Sequence, residues 1–327
     1  MKRKISHILA DVLWDLWCVL SVIGIWPRFI EPRLVVTTKM DLEVKQLPKD
    51  LEGFKVLQFS DLHFHKNVPQ SFLDKVVRKI KAMSPDMIVF SGDMICYSRL
   101  EDEVRLTEFL NLLKAPYGSY FVFGNHDYEK YVSFTGEGKY DVVEKKQNSF
   151  IIEGFRKMFN PRKEIRGIGE EARLTNRHAG LCTLLGKTPF EILENQTKKI
   201  KVGSTCLNVS GLGDYWLGRC DPSITFETYD KNYPGLVLSH NPDTFTQLQE
   251  WPGEMVLCGH THGGQVNLPF LWNKFIYIEN MKFVRGLVQI GDKKLYVNRG
   301  LGSHRPFRWF SPPELLLLTL KNQKADC

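Results

Sequence analysis

The pattern of apolar and polar positions changes three times along the chain. Ile5 to Trp26 is almost wholly apolar, and Lys4, His7, Asp11, Asp15 and Cys18 recur at three- and four-residue steps, so they fall in one narrow stripe of a helix. Two aspartates inside a bilayer span would cost roughly 2.5–3.5 kcal/mol each. The uninterrupted apolar part, Leu16 to Trp26, is too short to cross. Residues 1–35 are therefore expected to form an amphipathic segment lying in a membrane interface, with Trp14, Trp17 and Trp26 beside Lys2, Arg3, Lys4 and Arg28 at the headgroup level. A true span, or a helix packed on the protein's own core, are the alternatives.

From Lys55 short apolar runs alternate with amphipathic ones. Strands are predicted at Val56–Phe59, Met87–Phe90 and Tyr120–Phe123, with helices around Phe72–Met83 and Glu103–Leu113. Residues 130–205 break this rhythm and read as an insertion, glycine-dotted and basic, with Arg156, Lys157, Arg162, Lys163, Arg166, Arg173 and Arg177 close together. It is either a solvated surface excursion or a cap over an anionic substrate or a lipid headgroup layer. The rhythm then resumes with a strand running into Ser210–Asp214, a strand Gly235–Leu238, a helix Asp243–Trp251, and the strand Met255–Cys258. An aromatic-rich stretch, Leu268–Met281, and strands at Leu295–Val297 and Leu315–Leu320 complete an α/β domain over residues 50–322.

Composition adds two constraints. Seven scattered cysteines, never in a CxxC arrangement, indicate a reducing compartment. The formal charge of +7 calls for anionic company, which could be nucleic acid, acidic lipid or a phosphorylated substrate. No nucleic-acid-binding motif accompanies it, and nothing in the chain requires an obligate protein partner.

Each predicted strand ends in a polar cluster: Ser60-Asp61-Leu62-His63, Ser91-Gly92-Asp93, Gly124-Asn125-His126-Asp127, Ser239-His240 and Gly259-His260-Thr261-His262. In open α/β sheets such ends converge on the site. Any one of these residues could be structural; five clusters in succession point to a metal site. Carboxylate and imidazole without clustered thiolate favour Mn²⁺, Fe²⁺ or Zn²⁺. The set is large enough for two divalent ions bridged by a shared carboxylate, an arrangement suited to displacement at phosphorus. Such chemistry needs an acid, which the residues alone do not single out.

Those five clusters resemble the blocks of the calcineurin-like metallophosphoesterases. The resemblance runs from about Lys55 to Leu320, outside the basic insertion, and implies a four-layer αββα sandwich. It implies that Asp61, His63 and His262 hold one ion, that Asn125, His240 and His260 hold the other, and that Asp93 bridges them. His126 would contact the phosphoryl oxygen or protonate the leaving group, steadied by Asp127. One departure is Cys96, where many relatives place Asp or Asn, which implies a changed environment around the ligands.

The tail stretches His262-Gly263-Gly264-Gln265, Tyr296 to Gly302 and Ser311-Pro312-Pro313-Glu314 are similar to the membrane-associated branch of that superfamily. With the basic insertion, the N-terminus and Gly213-Asp214-Tyr215-Trp216, they resemble, more narrowly, the UDP-2,3-diacylglucosamine pyrophosphatases of lipid A synthesis. This implies two Mn²⁺ ions, a nucleotide-linked glycolipid substrate contacted by Arg162, Arg166 and Arg299, and peripheral attachment to an anionic leaflet on the cytoplasmic side of the inner membrane. Other enzyme readings are a phosphodiesterase acting on a different phospholipid or on a cyclic nucleotide. A non-catalytic scaffold with the same fold is the reading from another class.

Overall fold

The computed structural model describes residues 2–135, 137–144, 164–267, 276–303 and 306–323, with side chains from residue 11 onward. The chain opens with helix α1 (Lys2–Leu20), which continues as a wider π-type helix over Ser21–Ile30. Its apolar residues Leu13, Trp14, Trp17, Leu20, Ile23, Trp26 and Phe29 are all exposed. The helical stretch Asp11–Arg33 is 23 residues long and 6% buried, so by length and composition alone it could cross a membrane. It is longer than the apolar run read from the sequence because the helix carries on through Pro27.

Strand β1 (Val36–Val44) is followed by the core units β2 (Lys55–Phe59), α2 (Gln70–Met83), β3 (Met87–Ser91), α3 (Glu103–Asn111) and β4 (Ser119–Val122). Helix α2 buries Phe72, Leu73, Val76, Val77 and Ile80, the one-sided spacing that made it legible as a helix, and ends on Ser84 in the left-handed conformation. A small sheet follows, of β5 (Val132–Phe134), β6 (Lys139–Val142) and β7 (Gly167–Ile168). Next come β8 (Phe190–Ile192), β9 (Gln196–Val202), β10 (Thr205–Gly211), β11 (Gly235–Leu238), β12 (Met255–Cys258), β13 (Gly286–Ile290), β14 (Lys293–Val297) and β15 (Glu314–Asn322).

Two six-stranded mixed sheets form the body, in the orders β1-β15-β2-β3-β4-β8 and β13-β14-β12-β11-β10-β9. Strands β2, β3, β4 and β8 run parallel in the first, and β10, β11, β12 and β14 in the second. Val56, Val89 and Val122 of the first sheet pack against Val209, Leu236, Leu238 and Leu257 of the second. Each such side chain contributes roughly 1.5–3 kcal/mol on leaving water, which holds the sheets face to face. Helices α2 and α3 cover the outer face of the first sheet through Leu73, Val76, Leu106 and Phe109.

Two expectations are corrected here. The predicted helix Asp243–Trp251 is only a 3-10 run, Pro242–Gln247. Asn241 caps it through the Asp243 N–H at 2.8 Å, and the buried Asp243 carboxylate accepts the N–H groups of Glu279 and Asn280 at 2.7 and 3.0 Å, which fixes the segment in a tight turn. The outer face of the second sheet is therefore covered by short turns and by Phe226, Phe245 and Phe283 rather than by long helices. The stretch 130–205 also contains β8 and β9, which pair with β4 and β10, so its last part belongs to the body.

Candidate metal centre

Because β2, β3, β4, β11 and β12 end on the same side, their following loops meet. Asp61, His63, Asp93, Asn125, His126, Asp127, His240 and His262 are buried, and His260 is half-buried. Two sets of three ligand atoms come together, Asp61, His63 and His262 in one, and Asp93, His240 and His260 in the other, with every atom in a set within 4.8 Å of the rest. Asp93 joins the sets: its Oδ2 lies 3.6 Å from His63 Nε2 and 3.3 Å from His240 Nε2.

Backbone geometry aims these groups. Asp61, His63, Asp93, His260 and His262 all have left-handed φ values, of 49°, 44°, 60°, 73° and 52°. Five non-glycine residues in a sparsely populated region at one locus are strain concentrated where function needs it. Close packing demands glycine beside them. A Cβ on Gly92 would lie 2.4 Å from His240 Nδ1, and one on Gly124 would lie 2.3 Å from Asp93 Oδ1.

Hydrogen bonds set which ring nitrogens face inward. His240 Nδ1 donates to the Ser91 carbonyl at 2.8 Å, and His260 has a backbone hydrogen bond with Tyr277. The remaining nitrogens, His240 Nε2 and His260 Nδ1, then face each other at 3.1 Å beside the Asp93 carboxylate. Two ring nitrogens and a carboxylate at that spacing suit a shared positive charge, a proton on His240 or a divalent cation that takes its place. In the first set, His262 Nδ1 sits 3.2 Å from the Gly302 carbonyl, leaving Nε2 directed at His63 Nε2, 2.9 Å away. Asn125 supplies an independent sign: its Nδ2 donates to the Val132 carbonyl at 2.8 Å, and its buried Oδ1 has no hydrogen-bond partner among the described residues. A buried, oriented amide oxygen without a donor is what a hard divalent cation takes.

Charges agree with this reading. Burial holds His63 down to about 4 and His260 down to about 3, which keeps both imidazoles neutral and able to ligate. For His240, burial also disfavours the charged ring, but the Asp93 carboxylate outweighs it and lifts the group to about 10. Burial, with Asp93 nearby, pushes Asp61 up to about 7. The pocket thus carries carboxylates that repel one another and a histidine that takes up a proton, an imbalance that divalent cations relieve.

His126 stands beside the sets, with Nε2 at 3.9 Å from Asp93 Oδ2 and its ring packed on Tyr131 at 4.4 Å between centroids. The Tyr97 N–H donates to His126 Nδ1 at 2.9 Å, which places the ring proton on Nε2, facing the site. The partner expected to steady it, Asp127, acts elsewhere. Its carboxylate accepts the N–H groups of Asp93, Gly124 and Ile95 at 2.7, 2.9 and 3.0 Å, tying the β3 and β4 loops together.

The expected substrate arginines separate. Arg299 is bound to Glu314 through Nε and Nη2, both at 3.1 Å, so its guanidinium has a structural role where a substrate contact was expected. Arg166 is exposed, with its N–H on the Gly138 carbonyl beside the small sheet. Arg162 and the aromatics Phe270, Trp272 and Phe275 lie outside the described residues. The Cys96 thiol is buried within 4.8 Å of ring nitrogens of His63 and His126.

Sequence reasoning missed Arg308. Fully buried behind His262, it donates to the carbonyls of Arg299, Ser311 and Gly300 at 2.8, 2.9 and 3.2 Å and to that of Gly302. Its own N–H takes the Pro27 carbonyl at 2.8 Å, linking the end of the N-terminal helix to the loop behind the centre. Glu31 adds a second link, accepting from Trp26 Nε1 at 2.8 Å and from the Ser311 N–H.

Several known proteins are similar to this chain in sequence. A UDP-2,3-diacylglucosamine pyrophosphatase, LpxG, of Chlamydia muridarum is 36% identical over 304 residues, covering 90% of this chain and 92% of its own. The protein of the same name from Chlamydia trachomatis is 36% identical over 307 residues, with the same coverage of 90% and 92%. The phosphodiesterase YaeI of Escherichia coli is 28% identical over 267 residues, 82% of each chain. Residues 54–264, which carry every ligand of both sets, match the model of the calcineurin-like phosphoesterase family, and the chain belongs to the calcineurin-like metallophosphoesterases.

Proposed function

We propose that the protein hydrolyses the pyrophosphate of UDP-2,3-diacylglucosamine, yielding UMP and 2,3-diacylglucosamine 1-phosphate, with two Mn²⁺ ions and at the cytoplasmic surface of the inner membrane. The observation that carries the reading is the pair of ligand sets joined by Asp93 in a chain 36% identical, over nearly its whole length, to pyrophosphatases of that name. The exposed apolar helix suits a substrate that resides in a membrane.

In this reading Asp61, His63 and His262 hold one ion, Asn125, His240 and His260 the other, and Asp93 both. Bound there, the ions supply Lewis acidity for phosphoryl oxygens and lower the pKa of water. The residues then divide the remaining work. Asp93 Oδ1 accepts the His126 N–H at 2.9 Å, which holds the backbone of the acid to the bridging carboxylate. His126, protonated on Nε2, donates to the phosphoryl or departing oxygen as negative charge builds there. Water adds to one phosphorus, the P–O–P bond breaks, and the diacylglucosamine phosphate departs with its bridging oxygen when attack is at the uridylyl side.

Mass spectrometry of products from UDP-2,3-diacylglucosamine in ¹⁸O-water, with and without Mn²⁺, tests the proposal. UMP and lipid phosphate formed only with metal are expected, and a label in UMP places the attack at the uridylyl phosphorus. Hydrolysis of a generic phosphodiester with no cleavage of this substrate would overturn the assignment and favour a different phosphodiester.

A further inference from the structure

Beside the metal centre lies a second cavity of about 570 Å³, within the ~300–1,000 Å³ typical of sites for small ligands. It is lined by Phe29 and Pro32 from the end of the N-terminal helix and its continuation, by Val68 and Phe72, and by Leu62 and Leu301 from the loops beside the centre. Leu62 stands between the ligands Asp61 and His63, and Gly302, which also lines the cavity, is the residue whose carbonyl orients His262. The cavity is therefore one residue removed from the metal ligands. Phe29, which lines the cavity, is exposed, as are its helix neighbours Trp26 and Ile30.

His65, Asn67 and Ser303 also line the cavity, and its three arginines are turned to the protein's own backbone. Arg28 donates to the Pro306 carbonyl at 3.0 Å, Arg33 to that of Phe29, and Arg308 to the four carbonyls behind His262. With the arginines engaged, most of what faces the cavity is apolar, from Phe29, Pro32, Leu62, Val68, Phe72 and Leu301, and such walls suit an alkyl chain better than a nucleobase or sugar. We infer that this cavity is a binding site for one acyl chain of a membrane lipid, entered from the side of the N-terminal helix. Placed there, the chain draws the attached headgroup phosphate toward the ligands on either side of Leu62. The occupant as substrate rests on the proposed pyrophosphatase reading; the cavity as an acyl site does not. Each methylene moved from water into such walls tightens binding by roughly fourfold, so a long chain gains far more from the cavity than a short one.

Val68→Trp and Pro32→Trp each fill the cavity without touching a metal ligand. Binding of the fluorescent fatty acid cis-parinaric acid to the full-length protein is the direct readout. Mn²⁺-dependent hydrolysis of bis(p-nitrophenyl) phosphate, expected within twofold of wild type, shows that each variant is folded. At least a tenfold loss of parinarate affinity is expected in both, together with a tenfold higher KM and little change in kcat for UDP-2,3-diacylglucosamine. Parinarate binding unchanged in a variant that still cleaves the diester would overturn the acyl site. If parinarate binding is lost as expected but wild type does not cleave UDP-2,3-diacylglucosamine, the acyl site stands and the proposed substrate falls.

Discussion

Arg308 offers the sharpest test of how the body supports the centre. In Arg308→Met the volume is roughly kept, but the carbonyls of Arg299, Gly300, Gly302 and Ser311 lose a charged donor in a fully buried place. The Gly300 and Gly302 carbonyls keep the Glu314 N–H and His262 Nδ1, whereas those of Arg299 and Ser311 are left unpaired at about 1–3 kcal/mol each, so a total of about 2–5 kcal/mol is expected. Arg308→Lys keeps the charge without the planar fork and should lose about half as much. The damage has a second, separable part. Gly302 orients His262 through its carbonyl, so loosening that loop should weaken Mn²⁺ binding by roughly 10-fold or more, the usual effect of removing a support behind a metal ligand. Urea unfolding with and without Mn²⁺ measures the first part, and isothermal titration with Mn²⁺ the second. An Arg308→Met protein with an unchanged urea midpoint and unchanged Mn²⁺ affinity would refute the claim that this residue braces the His262 loop.

Three further outcomes follow from particular contacts. His126→Gln should lower kcat by about 10²–10⁴-fold while leaving both Mn²⁺ affinities in place, because the ring stands beside the ligand sets and supplies a proton; loss of metal on titration would make it a ligand instead. Asn125→Ala removes an oxygen that has no other partner among the described residues, so calorimetry should show one Mn²⁺ site weakened at least ~10-fold and the other kept, against two unaltered sites if the amide is structural. Glu314 is disfavoured as a charge by burial, but Arg299 prevails and holds its carboxyl below the usual glutamate value. Its stabilising contribution is thus complete above about pH 4.5 and is lost as pH falls through the depressed folded value, so Glu314→Gln should be less stable than wild type at neutral pH and show a flatter acid limb in thermal melts.

The ligands were legible because local rules carried them: a short apolar run becomes a buried strand, and the polar residues after it have only the strand ends to occupy. That logic marks Asp61, His63, Asp93, Asn125, His126, Asp127, His240, His260 and His262 as candidates, and the family resemblance is what divides them into ligands and acid. What escaped depends on partners distant in sequence. Strand β1 alternates too weakly to stand out and is defined by its parallel pairing with β15, some 278 residues later between Val36 and Glu314. Arg308 follows no motif, since only the folded loop shows that four carbonyls converge on it. The resemblance implies Asp127 as the partner of His126, whereas its carboxylate is turned to the backbone of both loops. The segment after His240 looked helical from its apolar spacing; Asp243, by accepting two distant N–H groups, fixed it as a turn.

The turn after β12 shows why strain belongs to the design of this centre. In an extended strand, residues 260 and 262 would project to the same side about 6.6 Å apart, along one line. With φ at 73° and 52° the chain coils instead, and the two rings diverge: His260 Nδ1 comes within 3.1 Å of His240 Nε2, while His262 Nε2 comes within 2.9 Å of His63 Nε2. One short turn therefore serves both ligand sets. Such backbone costs of order 1–3 kcal/mol per residue and persists only where its surroundings over-determine it. Here they do: the His260 N–H is held by both Asp61 oxygens at 3.0 Å, Ser311 Oγ donates to the His262 carbonyl at 2.6 Å, and Glu31, at the foot of the N-terminal helix, accepts from the Ser311 N–H. The anchor of that helix and the geometry of the last ligand are thus two ends of one chain of hydrogen bonds, which places the apolar surface and the phosphoryl chemistry on the same mechanical support.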